Sequence, residues 1–208
     1  MSALMPAELA WYVTGRFYKA ADGTLADYGY FLHLPFPGVP LFAGEGHAAP
    51  SETTAHFTFA AQPFRAGAAT NGALSLGLDP VGGFALFLQR RPAATFDDPA
   101  TFACGECIAT FRRTSLVVGT TVAAGSPAAG SPGVVSPAAE TPLLATNVFS
   151  ARLTASVPFD FAGGRHDLAA HIGAGVTQFG TAAATPVTPA PAGYTLAVPF
   201  TGSALALG

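Results

Sequence analysis

The densest polar stretch in this chain runs from Asp160 to His171 and holds Asp160, Arg165, His166, Asp167 and His171. An imidazole beside a carboxylate can pass a proton, so the stretch reads as a candidate general acid and base. His166 is its leading group and Asp167 or Asp160 its partner. The same residues also have a plain structural use, because an Asp at the start of a short helix favours its N-terminus. His33, His56 and His171 are further candidate proton carriers, with an Arg or Tyr to stabilise an oxyanion.

Other chemistries find less support. Cys104-Gly-Glu-Cys107 offers two metal ligands or a redox pair, but no second CxxC exists and no His lies within twenty residues. A zinc site needs four ligands or three plus water, so no metal is expected. The residues after Cys107, Ile-Ala-Thr-Phe-Arg-Arg-Thr, read as a strand, not as the helix a thioredoxin-like site requires. The nucleophile elbow Gly-x-Ser-x-Gly is absent, and the single lysine, Lys19, follows Tyr18, not a glycine loop. Gly44-Glu-Gly46 and Gly173-Ala-Gly175 precede no strong helix, so dinucleotide binding is not expected. The expectation is a protein without cofactors.

Half of the 208 residues are hydrophobic and 10% are charged, with a net charge of -3. That balance excludes disorder, which needs low hydrophobicity and high charge. It also argues against nucleic acid, since the only basic doublets, Arg90-Arg91 and Arg112-Arg113, stand alone and read as solvated strand ends. Apolar runs are broken well short of the ~20 residues a membrane helix needs, so no membrane partner is expected. The start, MSALMPAELAWYV, has neither a basic n-region nor an unbroken apolar h-region, which makes the cytoplasm the expected location.

Period-two alternation dominates. Trp11–Lys19 and Leu25–Leu34 flank the turn Ala21-Asp22-Gly23 and form a hairpin. Further strands are expected at Thr54–Phe64, Ala73–Leu78, Phe84–Gln89, Cys107–Thr114, Leu116–Val122, Asn147–Phe161, Tyr194–Phe200 and Ser203–Leu207. Only Asp167–Ile172 suits a short helix. In Leu25–Leu34 the more apolar face is Tyr28, Tyr30, Leu32 and Leu34, which leaves Asp27, Gly29, Phe31 and His33 opposite. Pro-Phe recurs at Pro35-Phe36, Pro63-Phe64, Pro158-Phe159 and Pro199-Phe200, where proline ends ladder pairing and the Phe can fold over the core.

These patterns predict a single all-β domain over residues 1–208. Its expected form is an antiparallel β-barrel of about eight to ten strands, similar in architecture to calycin-like barrels, with a β-sandwich as the alternative. Residues 123–142, rich in Pro, Gly, Ser and Ala, read as a surface loop or lid, and residues 185–193 as a Pro-rich loop. The leading functional reading is binding of a small, largely apolar molecule. Its pocket would be lined by Trp11, Val13, Phe17, Phe149, Leu153 and Val157, with its mouth near Asp160–His171. The alternatives are a cofactor-independent isomerase, cyclase or hydrolase in the same pocket, and a structural or homo-oligomer-forming module.

Overall fold

A computed structural model describes residues 3–44, 49–61, 64–65, 67–71, 74–79, 82–114, 117–123, 143–183 and 185–208. The strands are β1 (Leu9–Ala20), β2 (Leu25–His33), β3 (Phe57–Ala61), β4 (Gly67–Asn71), β5 (Leu74–Asp79), β6 (Gly83–Leu88), β7 (Glu106–Arg113), β8 (Val117–Ala123), β9 (Leu143–Ser156), β10 (Phe159–Phe161), β11 (Gly164–His166), β12 (Gly175–Ala182) and β13 (Tyr194–Ala206). Among the described residues, helical structure is confined to a 3-10 turn, Pro99–Ala103, and one α-turn, α1 (Ala169–Ile172). No helix among the described residues is long and apolar enough to cross a membrane.

The main sheet closes on itself in the order β12-β13-β1-β2-β3-β6-β7-β9, with β9 pairing back to β12. The result is an eight-stranded antiparallel barrel. Closure leaves these strands no free edge. The first half of β9 continues into an arm, where it carries β8, then β5, then β4. β7 and β8 lie on the same edge of β9, so the sequence from Cys107 to Val122 forms two strands end to end.

An eight-stranded barrel has an interior just wide enough for side chains to fill. Here Trp11 and Val13 of β1, Phe31 of β2, Phe57 and Phe59 of β3, Leu86 and Leu88 of β6, and Phe111 of β7 form one buried cluster. The Trp11 ring meets Phe31, Phe84 and Phe111 edge-on, and its Nε1–H donates to Gln178 Oε1 at 2.8 Å. Glycines make room for these rings. Gly15 and Gly29 face each other in register, and a Cβ on Gly29 would sit 2.8 Å from the Phe59 ring and 2.2 Å from the Thr14 carbonyl oxygen.

A second apolar layer lies outside the barrel. Residues 89–105 fold back over β1, β2 and β3, and Phe96 and Phe102 pack there against Tyr28 and Tyr30. Thr58 Oγ1 donates to the Phe102 carbonyl at 2.6 Å, and Gln89 Nε2 donates to the Thr101 carbonyl at 2.9 Å. This layer reverses the expected facing of β2. Phe31 belongs to the interior, whereas Tyr28 and Tyr30 point outward beneath the covering segment.

One end of the barrel is plugged. Phe36, Phe159, Leu168 and Ile172 are all buried there. They come from the segment after β2, from the β10–β11 hairpin and from α1. Phe36 and Phe159 bear out the idea that a Phe after Pro folds over the core. Pro199-Phe200 instead lies inside β13, at the level where β12 ends.

Gly29→Ala should destabilise the protein by about 1–3 kcal/mol, because the added methyl meets backbone that cannot retreat. Urea unfolding would measure the change. A loss below about 0.5 kcal/mol would show that the Gly15–Gly29 contact is looser than its geometry implies.

Candidate functional site

The polar residues of 160–171 sit at the plugged end, where the His171 ring meets the Phe36 ring edge-on. β10 and β11 pair Phe159 with His166, and Ala162 and Gly163 turn the chain between them with φ of 51° and 78°. His166 Nε2–H donates to the Phe161 carbonyl at 3.0 Å, closing that hairpin. Asp160 is exposed, with an oxygen 3.7 Å from Arg165. Asp167 Oδ1 accepts from Ser156 Oγ at 2.5 Å and from the Ala169 N–H at 3.0 Å, and so anchors the start of α1. Asp167 thus has a structural role, and none of these bonds joins His166 to Asp160 or Asp167. Arg90, Asp160 and Arg165 border an open groove of about 390 Å³, in which Arg90 donates to the Asp160 carbonyl at 2.8 Å and to Glu106 at 2.9 Å.

The other candidate groups are mostly structural too. His56 is buried, and its Nδ1–H donates to the Gln89 carbonyl at 2.9 Å. His33 is exposed. Burial pushes the Tyr18 and Tyr28 phenols up to about 12, so both stay protonated near neutral pH. Tyr18 OH donates to the Phe96 carbonyl at 3.3 Å. Cys104 and Cys107 are free thiols, and burial raises the Cys107 thiol. Among the described residues no three His, Cys, Asp or Glu side chains come together as metal ligands would.

Of the predicted pocket residues, Trp11 and Val13 lie in the filled centre of the barrel. Phe149 and Leu153 pack against that cluster while partly exposed. Phe17, also partly exposed, packs with Leu25, Ala61 and Phe64 toward the opposite end from the plug. Val157 lies beyond β9, which stops at Ser156 just before Pro158, and it is 48% exposed. The expected mouth near Asp160–His171 is thus occupied by the plug. Residues 124–142, which hold nearly all of the expected lid, lie outside the described residues.

The far end holds what sequence reasoning missed. Arg113 closes β7 and is only 3% exposed, and its Nη2 lies 3.6 Å from Asp27 Oδ2. Its guanidinium stands over the rings of Phe64 at 4.7 Å and Phe149 at 4.9 Å. Asp27 lies directly across the ladder from Phe17. Phe17, Phe84, Phe149 and Phe200 around this end are all partly exposed, whereas Phe36 and Phe159 of the plug are buried. A signal was present in the sequence: Arg113 shares its strand face with Phe111, and Asp27 shares its face with Phe31. The candidate site is therefore a charged pair set among aromatic rings at the end of the closed β-barrel opposite the plug. Compared with family models, curated proteins and solved structures, the chain finds no match.

The plug carries a pH dependence. Burial, with the nearby His166 adding repulsion, holds the His171 imidazole below its ordinary value, and the opposing pull of Asp167 is outweighed. The unfolded chain then binds this proton more readily than the folded one. Stability is full above about pH 6.5 and declines as pH falls through the folded value. The urea midpoint should drop between about pH 7.5 and pH 5.5, and His171→Gln should flatten that slope. An equal drop in both proteins would assign the effect elsewhere.

Proposed function

We propose that this barrel binds a small, largely apolar molecule at the mouth opposite the plug. Phe17, Phe149, Phe84 and Phe200 would supply the apolar wall, and the Arg113–Asp27 pair would meet one polar group of the ligand. A single observation carries the reading: a nearly buried guanidinium and a carboxylate stand among partly exposed aromatic rings at that end. Ligand sites are commonly apolar walls with a few placed polar groups, which is this composition. Binding is preferred to acid–base catalysis because His166 and Asp167 already spend their hydrogen bonds on the hairpin and on α1.

Charge bookkeeping narrows the ligand class. Arg113 already faces Asp27, so an incoming carboxylate would bring a second anion beside the first. Like charges at such range disfavour each other strongly where water is scarce. A neutral oxygen, as in an alcohol, ketone or ester, avoids that repulsion.

A primary alcohol or methyl ketone of medium chain length should therefore bind at least tenfold more tightly than the carboxylate of equal length. Isothermal titration calorimetry would compare them, with Trp11 emission as a second signal because Trp11 touches Phe84. Phe149→Ala should weaken the neutral ligand by about 1–2 kcal/mol, roughly tenfold, for the lost apolar contact. If neither class produces heat or a change in emission, the binding reading falls. If the carboxylate binds as well as the alcohol, only the ligand class falls.

A further inference from the structure

We infer that Asn147 is a second polar contact of the site proposed at the end opposite the plug, and that the ligand taken there carries two neutral oxygens about 7 Å apart. The inference rests on that reading of the site and adds to it one residue and a ligand geometry.

β9 and β12 fix the face on which Asn147 lies. Their ladder sets Phe149 opposite Gln178 and Asn147 opposite Gly180. Residues directly opposite each other in an antiparallel pair share a face, and Gln178 reaches inward to Trp11. Phe149 and Asn147 therefore follow one another on the inner face of β9, toward the end opposite the plug. Arg113 pairs with Ala151 of the same strand, and its guanidinium stands 4.9 Å from the centre of the Phe149 ring. The order along this face is guanidinium, aromatic ring, amide. Asn147 lies two residues beyond Phe149, a step of about 7 Å.

The wall beneath the amide is bare. Gly180 pairs with Gly202 across β12 and β13. A Cβ on Gly180 would sit 2.6 Å from Asn147 Oδ1, and one on Gly202 would meet Gln178 Nε2. Each glycine thus makes room for an amide lying across the wall. The two amides differ in use. Gln178 is buried, accepts from the Trp11 indole at 2.8 Å and donates to the Phe179 carbonyl at 3.1 Å. Asn147 is exposed, and its amide makes no such bond among the described residues.

An amide held in this way offers a donor and an acceptor to a molecule lying along Phe149. A ligand whose first oxygen meets the Arg113–Asp27 pair would cross the Phe149 ring and reach Asn147 with a second oxygen. Asn147 has no charge to balance an ion, so a hydroxyl or a carbonyl suits it. Five carbons between two oxygens give about six bonds, the same number as two residues of extended backbone, and so span roughly 7 Å. The matching class is a medium-chain 1,5-diol or the corresponding hydroxy ketone.

Isothermal titration calorimetry of the full chain would compare octane-1,5-diol with octane-1,2-diol, an isomer of equal composition, and with octan-1-ol. The 1,5-isomer should bind about fivefold more tightly than the 1,2-isomer, the worth of one neutral hydrogen bond. In Asn147→Leu that ratio should fall to about one, with an unchanged far-UV circular dichroism spectrum. Asn147→Ala serves for the same comparison if the leucine variant fails to fold. Octan-1-ol binding without a preference between the isomers overturns the inference and leaves the proposed site standing. So does a preference that persists in a folded variant. No heat from any of the three ligands overturns the proposed binding function itself, and this inference with it.

Discussion

The ladder between β9 and β12 closes the sheet into a barrel, with eight residue pairs from Gly175↔Arg152 to Ala182↔Ala145. Without those pairs the strands would form an open sheet ending at β12, and a single layer could not enclose its aromatic side chains. Closure puts Phe31, Phe59, Phe111 and Trp11 around a common axis, where each ring meets another of the set, and Phe57 meets Phe36 and Phe159 of the plug. It also places the Trp11 indole N–H against Gln178 of β12, so the polar atoms of the core are matched as the barrel closes. A buried indole without that acceptor would cost a kcal/mol or more. The glycines at Gly15 and Gly29 belong to the same constraint, since a barrel of this width accepts large rings only where facing positions are small.

That closing strand was the one hardest to see in the sequence. Gly175–Ala182 reads GVTQFGTA, and its pattern is inverted: Gln178 turns inward to meet Trp11, while Phe179 points to the outside. Two glycines weaken its propensity further. Strands with conventional alternation were legible, among them β1, β2 and most of β9, and so was the turn at Asp22-Gly23. Their boundaries moved for local reasons. Pro158 divides the long stretch 147–161 into β9 and β10, whereas Pro199 leaves β13 unbroken, although both follow Val and precede Phe. The difference lies in the neighbours each proline meets, which no local pattern records.

The facing of β2 shows a second way in which the sequence misleads. Alternation distinguishes two faces but does not say which one meets the core when both are covered. Tyr28 and Tyr30 look like core residues, and they are largely withdrawn from water. Yet their partners are Phe96 and Phe102 from a segment distant in sequence. The face bearing Asp27 and Gly29, judged more polar, lines the barrel. The same ambiguity concealed Arg113. In Arg112-Arg113 the strand turns the first arginine to solvent and the second inward, so a doublet that looks like a solvated end delivers one buried cation. The cluster at 160–171, by contrast, was visible as a cluster, but composition could not reveal that each group is used to build the plug.

The two ends of the barrel therefore differ in kind. The plug uses His166 to close a hairpin and Asp167 to anchor a helical turn. The Arg113–Asp27 pair stands instead among the rings of Phe64 and Phe149. A buried ion pair contributes little net stability, because desolvation of both charges offsets most of their attraction, and apolar residues of equal volume often serve as well. A chain with so few charges that still places two of them inside an aromatic mouth is poorly explained by stability alone. The proposed site therefore rests on this pair, whereas the denser polar cluster at the plug is accounted for by the hairpin and the helical turn that it holds.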